Sequence, residues 1–208
     1  GLSQTLLEKC VALHPEAVVL LQEQYRMHQT IMGFSSKEFY GNALQAHPSV
    51  AGHLLYQGDK PLLFIDTAGC GFEEVWEGTS LSNGEEAHFL MQQLTRLVND
   101  LKTFYSDDAF PKIGVISPYK HQVEVLKEAV RIHPDLQSVQ GAIAVNTIDS
   151  FQGQERDAIF ISMTRSNADN IIGFLSDIRR MNVAMTRARK KLVVVGDSAT
   201  LSQHPFYA

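Results

Sequence analysis

Six basic residues and one acidic residue lie between Gly173 and Lys191, in the stretch GFLSDIRRMNVAMTRARKK. The whole chain carries a formal net charge of −5 at pH 7, so this positive charge is concentrated locally. On an α-helix, Arg180 and Arg187 would share one flank of an apolar seam, and Arg179 and Arg189 would lie on the other flank. Because guanidinium groups bind phosphate and carboxylate strongly, the stretch predicts a helix that holds anionic ligands.

A further arginine, Arg26, belongs to the motif QYRMH at Gln24–His28, which follows the apolar run 17–21. That run predicts a short buried strand. At a strand-to-helix junction, Tyr25 could stack on a base and Arg26 could reach a phosphate. From the spacing alone, an ordinary turn with a solvated arginine explains the motif equally well.

Other polar residues could bind further parts of a nucleotide or a nucleic acid. Glu155, which closely follows Gly153, could accept hydrogen bonds from ribose hydroxyls, as a carboxylate does in dinucleotide-binding folds. Tyr119, Thr147 and Ser150 lie on different predicted loops and could contact a nucleic-acid backbone without reading its bases.

Arg26 and Arg187 are the candidates for binding a terminal phosphate. An arginine in that position typically raises the rate of phosphoryl transfer by about 10³ to 10⁵. The chain contains no G-x-x-x-x-G-K-S/T segment, however, and no acidic pair after a strand that suggests a magnesium carboxylate. The arginines could therefore complete an ATP site but could not make one. The chain is expected to be half of an enzyme, with no metal site of its own.

Strands alternate with helices along the chain, which predicts an α/β fold with a mostly parallel sheet. Buried strands are expected at residues 62–66, 112–117, 142–146, 157–163 and 192–195, and long helices at about 83–104 and 121–132. Asn83 and Glu86 have the spacing of a capping box, and we interpret them as a structural pair. Since the polar clusters follow predicted strands, we expect them to gather at the carboxyl edge of the sheet.

Length and composition favour one large globular domain, with 208 residues of which 44% are hydrophobic. No apolar run approaches the roughly 18 residues of a membrane helix, and the start resembles no signal peptide. We therefore expect no membrane partner and a cytoplasmic location, or a nuclear one in a eukaryote. Cys10 and Cys70 are expected to be free thiols. The first residue is glycine rather than methionine, which suggests an excised fragment.

Four motifs, in this order, closely resemble those of superfamily 1B helicases, in the nonsense-mediated-decay and DNA-replication group. They are QYRMH (Gln24–His28), ISPYKHQ (Ile116–Gln122), VNTIDSFQGQE (Val145–Glu155) and GFLSDIRRMNVAMTRARKKLVVVGD (Gly173–Asp197). The resemblance runs from about Leu20 to the end of the chain and includes the pair Asn83 and Glu86. Ile178 and Lys190 depart from it, because relatives often have proline and an aromatic residue there.

This resemblance implies a three-layer RecA-like α/β domain with a mostly parallel central sheet flanked by helices. Residues 1–208 would form the second, C-terminal RecA-like domain, with residues 1–16 as a helix leading in from a first RecA-like domain. ATP with Mg²⁺ would bind in the cleft between the two domains, with the magnesium ligands in the first. Single-stranded nucleic acid, DNA or RNA, would lie across the top of both.

The resemblance also implies roles for individual residues. On the ATP side these are Tyr25 at the base, Arg26 and Arg187 at the terminal phosphate, Glu155 at the ribose, and Gln152 and Gly153 lining the cleft. On the nucleic-acid side they are Ser117, Tyr119 and Thr147. From the residues themselves we add Arg180 to the ATP side, because it shares a helix flank with Arg187, and Ser150 to the nucleic-acid side, because of its predicted loop. The substrate, DNA or RNA, is not decided by these residues, and a 5′-to-3′ direction is implied only by the resemblance.

Two other interpretations stay open. A non-catalytic nucleic-acid-binding scaffold domain could have the same fold, although it has no evident reason to keep both Arg26 and Arg187. Superfamily 1A helicases have a similar arginine helix, but they differ in the loop where this chain has FQGQE.

Overall fold

The computed structural model of the protein describes residues 6–19, 21–151 and 153–208. The α-helices of this part are Leu6–Leu13 (α1), Gln29–Tyr40 (α2), Pro48–Ala51 (α3), Gly84–Leu101 (α4), Lys120–Ile132 (α5), Ile178–Met185 (α6) and Ser198–Leu201 (α7). Its strands are Glu23–Gln24 (β1), Gln45–Ala46 (β2), Leu62–Asp66 (β3), Val75–Glu77 (β4), Ser80–Ser82 (β5), Ile113–Ser117 (β6), Ile143–Thr147 (β7), Arg156–Ser162 (β8) and Ala188–Gly196 (β9).

A five-stranded sheet in the order β3-β9-β8-β6-β7 forms the centre of the domain. All of its neighbouring strands pair in parallel, from Leu62 opposite Leu192 at one edge to Ile113 opposite Ile143 at the other. The short strands β1 and β2 form a separate parallel pair, and β4 and β5 form an antiparallel hairpin. The predicted α/β class with a mostly parallel sheet is therefore confirmed.

Successive residues of the central strands pack into two different cores. Ala158 and Phe160 of β8 face a core with helices α4 and α5, whereas Ile159 and Ile161 face a second core with α2 and α6. Side chains of a strand alternate between the two faces of a sheet, so apolar residues at every position require cover on both sides. The result is three layers, as predicted.

The connection from β7 to β8 crosses one face of the sheet. Phe151, which is 1% exposed, packs in the core of α2 and α6 and lies over Gly114 of β6. A Cβ atom at Gly114 would lie 2.9 Å from the Phe151 ring, so only glycine leaves room for this crossing. The chain thus leaves the carboxyl end of β7 and enters β8 at the amino end of the sheet.

Two predicted element boundaries are wrong. The apolar run 17–21 forms no strand within its described residues, and a 3₁₀ turn at Pro15–Ala17 precedes β1 instead. The arginine stretch is not one helix, because α6 ends at Met185 and β9 begins at Ala188. Arg187 and Arg189 therefore lie on a turn and a strand. The first part of the predicted N-terminal helix, residues 1–5, lies outside the described residues.

Candidate functional site

Glu155 receives hydrogen bonds from two arginines of distant segments. Arg26 Nε donates to its Oε1 atom at 2.6 Å, and Arg189 Nε donates to its Oε2 atom at 2.7 Å. Although burial by itself raises the pKa of this carboxyl, the two guanidinium groups outweigh it and hold the pKa below its ordinary value. Glu155 is therefore a carboxylate at neutral pH, and it joins the QYRMH and FQGQE motifs to β9.

The turn that carries Arg26 is shaped by its own motif. The side-chain oxygen of Gln24 accepts hydrogen bonds from the backbone N–H groups of Arg26 and Met27, both at 2.7 Å. His28 N–H donates to the Arg189 carbonyl oxygen at 2.8 Å, which ties the turn to the start of β9. Met27 is buried below the turn, whereas the ring of Tyr25 is 63% exposed. That ring stacks on His47 with 4.2 Å between centroids.

Arg187 lies beside Arg26, on the turn between α6 and β9. Its Nε atom donates to the Val183 carbonyl oxygen at 3.1 Å, and no carboxylate within the described ranges forms an ion pair with it. Burial lowers the pKa of its guanidinium group, and the positive charge of Arg26 lowers it further. Arg187 is therefore a partly desolvated cation next to a second cation, which is an arrangement suited to an anion.

The cluster lies at the amino end of the central sheet. Arg156 and Ala188 form the first pair in the register of β8 and β9, and Arg156 N–H donates to the Arg187 carbonyl oxygen at 3.0 Å. The predicted gathering of all polar clusters at the carboxyl edge is therefore wrong. The reason is the crossing segment between β7 and β8, which carries Glu155 from one end of the sheet to the other.

Arg180 does not join this cluster. Its Nη2 atom donates to Asp149 at 2.6 Å, just beyond the carboxyl end of β7, while Asp177 caps the first turn of α6 by accepting from the Arg180 N–H. Arg179 pairs with Glu8 at 3.1 Å. Arg179 and Arg180 lie in the first turn of α6, whereas Arg187 and Arg189 follow its end, so the two pairs of arginines lie in different places. Gly153 lies near Glu155 with a φ of +76°, whereas Gln152 lies outside the described residues.

The four residues expected on the nucleic-acid side divide into two pairs. Ser117 is 0% exposed and Tyr119 is 3% exposed, so neither side chain lies on the surface where a direct contact was expected. Thr147 is partly exposed and Ser150 is exposed, and their hydroxyl groups lie 3.2 Å apart at the carboxyl end of β7. Only this second pair offers polar atoms directly to a ligand.

A buried polar network lies beneath the carboxyl end of the sheet. Asn83 caps α4, as predicted, because its side-chain oxygen accepts from the Glu86 N–H at 3.0 Å. Glu86 does not complete a capping box. Its Oε1 atom accepts from Ser162 Oγ and, at 2.8 Å, from the Thr164 N–H. Gln122 accepts from the Asn83 N–H instead, at 2.8 Å. The spacing of the sequence motif could not reveal these partners, which lie 39 to 78 residues away.

Burial raises the pKa of Glu86 to about 7 from an ordinary value of 4.5, and the charge of Asp197 adds to this shift. The folded protein thus binds the proton more tightly than the unfolded chain does. The contribution of Glu86 to the unfolding free energy is therefore fully present below pH 4.5 and is lost as the pH rises through about 7, a total decrease of about 3 kcal/mol. We expect the Glu86→Gln variant to lack this decrease, which urea unfolding over that pH range would measure.

A neighbouring glutamate provides the control for this measurement. Glu85 lies next to Glu86 in the first turn of α4 but is exposed to solvent. The Glu85→Gln variant should therefore keep the pH profile of the wild type. If the unfolding free energy of Glu86→Gln falls with pH as steeply as that of the wild type, protonation of Glu86 is not coupled to folding.

Three layers around a parallel sheet, with a cluster of arginines at one end, define a RecA-like α/β domain. A family model described as an AAA domain matches residues 2–199. The chain belongs to this family and is a superfamily 1B helicase domain, as the sequence motifs predict. Within the described residues, no helix is both long and apolar enough to cross a membrane.

Three relatives illustrate the match. DNA-binding protein SMUBP-2 of Rattus norvegicus is 40% identical over 99% of this chain and 21% of its own length. DNA polymerase alpha-associated DNA helicase A of Saccharomyces cerevisiae is 35% identical over 98% of this chain and 31% of its own length. An uncharacterized ATP-dependent helicase of Methanocaldococcus jannaschii is 34% identical over 99% of this chain and 30% of its own length. The chain thus spans a third or less of these relatives.

Among solved structures, the C-terminal domain of a possible DNA helicase from Lactobacillus plantarum is similar to this chain with a TM-score of 0.46 and 16% identity. The match covers 84% of this chain and 88% of that one. At this level of similarity, the fold assignment rests on the sheet order and the layers described above.

Proposed function

We propose that this chain is the C-terminal motor domain of an ATP-dependent helicase and completes an ATP site shared with an N-terminal RecA-like domain of the same protein. The observation that carries the proposal is the cluster of Arg26, Arg187 and Arg189 around the single carboxylate of Glu155. Three guanidinium groups and one carboxylate leave a local excess of two positive charges. A polyphosphate is an anion of the right kind to neutralise this excess.

The residues of the cluster fit the roles that the resemblance implies. Arg187 has no ion-pair partner within the described ranges and could bind the terminal phosphate together with Arg26. A carboxylate offers about four lone-pair positions, and Glu155 uses two of them, so it can still accept hydrogen bonds from ribose hydroxyls. The exposed ring of Tyr25 is free on one face for a base. Mg²⁺ would bind to carboxylates of the first domain.

Single-stranded nucleic acid is the partner that we propose for the carboxyl end of the sheet. The hydroxyl groups of Thr147 and Ser150, which lie 3.2 Å apart there, would contact its backbone. The names of the relatives include a DNA-binding protein and DNA helicases, which supports a nucleic-acid partner but does not exclude RNA. Arg180, which pairs with Asp149 just before Ser150, would then lie on the nucleic-acid side and not on the ATP side.

A comparison of the fragment with the full-length protein tests this proposal. We expect the 208-residue chain alone to show no ATP hydrolysis, because it has no phosphate-binding loop. The full-length protein should hydrolyse ATP, and single-stranded DNA or RNA should stimulate it. Separate assays with each nucleic acid would identify the substrate. Robust turnover by the fragment that disappears in its Arg187→Ala variant would contradict the shared site, and nucleic-acid binding without any ATP hydrolysis would favour the scaffold alternative.

A further inference from the structure

Thr164 has an unusual backbone conformation at the carboxyl end of β8. Its φ is +70°, although a β-branched residue is rarely found in the left-handed region. Such a conformation persists only where the surrounding structure imposes it, and it occurs most often at functional sites. Thr164 is 0% exposed, so the cause lies in its buried contacts.

The contact that holds this backbone comes from Glu86. The Thr164 N–H donates to Glu86 Oε1 at 2.8 Å, and the same oxygen accepts from Ser162 Oγ. The other oxygen of Glu86 is buried and has no hydrogen-bond partner among the described residues. Burying a carboxyl group with one oxygen unsatisfied lowers the stability of the fold. Glu86 is therefore better explained by what it positions than by the stability that it adds.

Two loops depend on the conformation of Thr164. Its side-chain oxygen lies 3.0 Å from Ser117 Oγ, which in turn accepts from the Tyr119 N–H at 3.2 Å. The next residue, Arg165, is also buried and donates to Tyr119 Oη at 3.5 Å and to Glu74 at 2.8 Å. Glu74 lies at the base of the β4–β5 hairpin. The loop after β6, the loop after β8 and the hairpin are thus joined through Thr164 and Arg165.

We propose that Glu86 is a positioning residue for nucleic-acid binding, which fixes the Ser117–Tyr119 loop and the Thr164–Asn167 loop in one arrangement. This inference rests on the proposed function, because it takes the carboxyl end of the sheet as the nucleic-acid side. It gives the buried Ser117 and Tyr119 an indirect role in place of the direct contact that the sequence predicts. The arginine cluster lies at the opposite end of the sheet, so Glu86 should influence nucleic acid more than ATP.

Two variants of equal side-chain length separate positioning from packing. In Glu86→Gln the amide oxygen can still accept from Ser162 and Thr164, whereas Glu86→Met has no acceptor. In the full-length protein, we expect Glu86→Met to weaken the binding of a fluorescein-labelled single-stranded oligothymidine or oligouridine about tenfold, as for the loss of a buried hydrogen bond. Glu86→Gln should bind within about twofold of the wild type. The KM for ATP should change little in either variant.

Leu90→Ala is the matched control, because Leu90 lies one turn further along α4, is 0% exposed and lies outside the network. It should lower stability without weakening the binding of the oligonucleotide. If Glu86→Met does not fold, Ser162→Ala removes one bond of the same network and should weaken binding in the same direction.

Several results would overturn the inference. One is that Glu86→Met binds the oligonucleotide with wild-type affinity. Another is that Leu90→Ala loses as much affinity for the oligonucleotide as Glu86→Met does. The third is that the KM for ATP in Glu86→Met rises as much as its affinity for the oligonucleotide falls. Failure of the wild-type full-length protein to bind single strands would overturn the proposed function itself, and this inference with it.

Discussion

Replacing Arg187 with alanine in the full-length protein is expected to lower kcat for ATP hydrolysis by about 10³ to 10⁵. The guanidinium group is partly desolvated and lies beside Arg26, so its charge would act strongly on the phosphate that we propose binds there. An effect of this size corresponds to about 4–7 kcal/mol of transition-state stabilisation. The rate of phosphate release from ATP, at a saturating concentration of nucleic acid, would measure the change in kcat. Arg26→Ala should also lower kcat for ATP hydrolysis.

Arg131 provides the control for this experiment. It is an exposed arginine of α5, a helix on the opposite face of the sheet from α6, and its guanidinium group pairs with Glu128 at 2.6 Å. Arg131→Ala should keep the wild-type turnover. Thermal unfolding should show that Arg187→Ala is folded, because within the described residues the guanidinium group donates a single hydrogen bond, to the Val183 carbonyl oxygen. Near-normal turnover by Arg187→Ala would remove this residue from the proposed catalytic role.

Replacing Lys191 with methionine is expected to lower the free energy of unfolding by about 3–5 kcal/mol. Lys191 and Asp59 form a buried ion pair that joins β9 to the loop before β3, and they are 5% and 8% exposed. Lys191 Nζ also donates to the Lys60 carbonyl oxygen at 2.8 Å. The variant leaves the charge of Asp59 buried without its cation, and its Oδ2 atom already has no partner among the described residues. Urea unfolding would measure the loss.

Two further variants test the cause of that loss. Lys190 is the next residue of β9, and its pair with Asp157 is longer, at 3.4 Å, and more exposed. Lys190→Met should therefore cost less than about 1 kcal/mol. The double variant Asp59→Leu with Lys191→Met should recover much of the stability, because two apolar side chains can replace a buried ion pair. A loss below about 1 kcal/mol in Lys191→Met would show that the pair is not effectively desolvated.

Much of the central sheet could be predicted because each of its strands contains a short continuous apolar run. Leu62–Asp66 has the predicted bounds, Ile113–Ser117 begins one residue later than predicted, and Ile143–Thr147 is shifted by one residue at both ends. The start of β9 could not be predicted, since it contains Arg189, Lys190 and Lys191. The strand begins there because β8 pairs with Ala188 and Lys191 on either side of an irregularity that holds Arg189 and Lys190, and Lys191 is buried because it pairs with Asp59.

The candidate site was predicted in its residue types and not in its arrangement. The motifs identify Arg26, Glu155 and Arg187, but they do not indicate that Arg189 shares Glu155 with Arg26. Helical periodicity also placed Arg180 beside Arg187, whereas the end of α6 at Met185 separates them. Helical periodicity predicts that two residues lie on the same side only when both belong to the same helix.

The sequence by itself determined the class of fold, the helicase family and the residues whose chemistry suits a phosphate, because apolar runs and motif spacing are local properties. Only the tertiary structure decided where those residues meet. The crossing of Phe151 over Gly114 brings Glu155 to the amino end of the sheet, next to Arg26 and Arg187. Likewise, Glu86 is a helix-cap residue by its spacing, but the two loops that close over it make it a buried acid bonded to Thr164. Such contacts join residues far apart in the chain, so no local pattern can encode them.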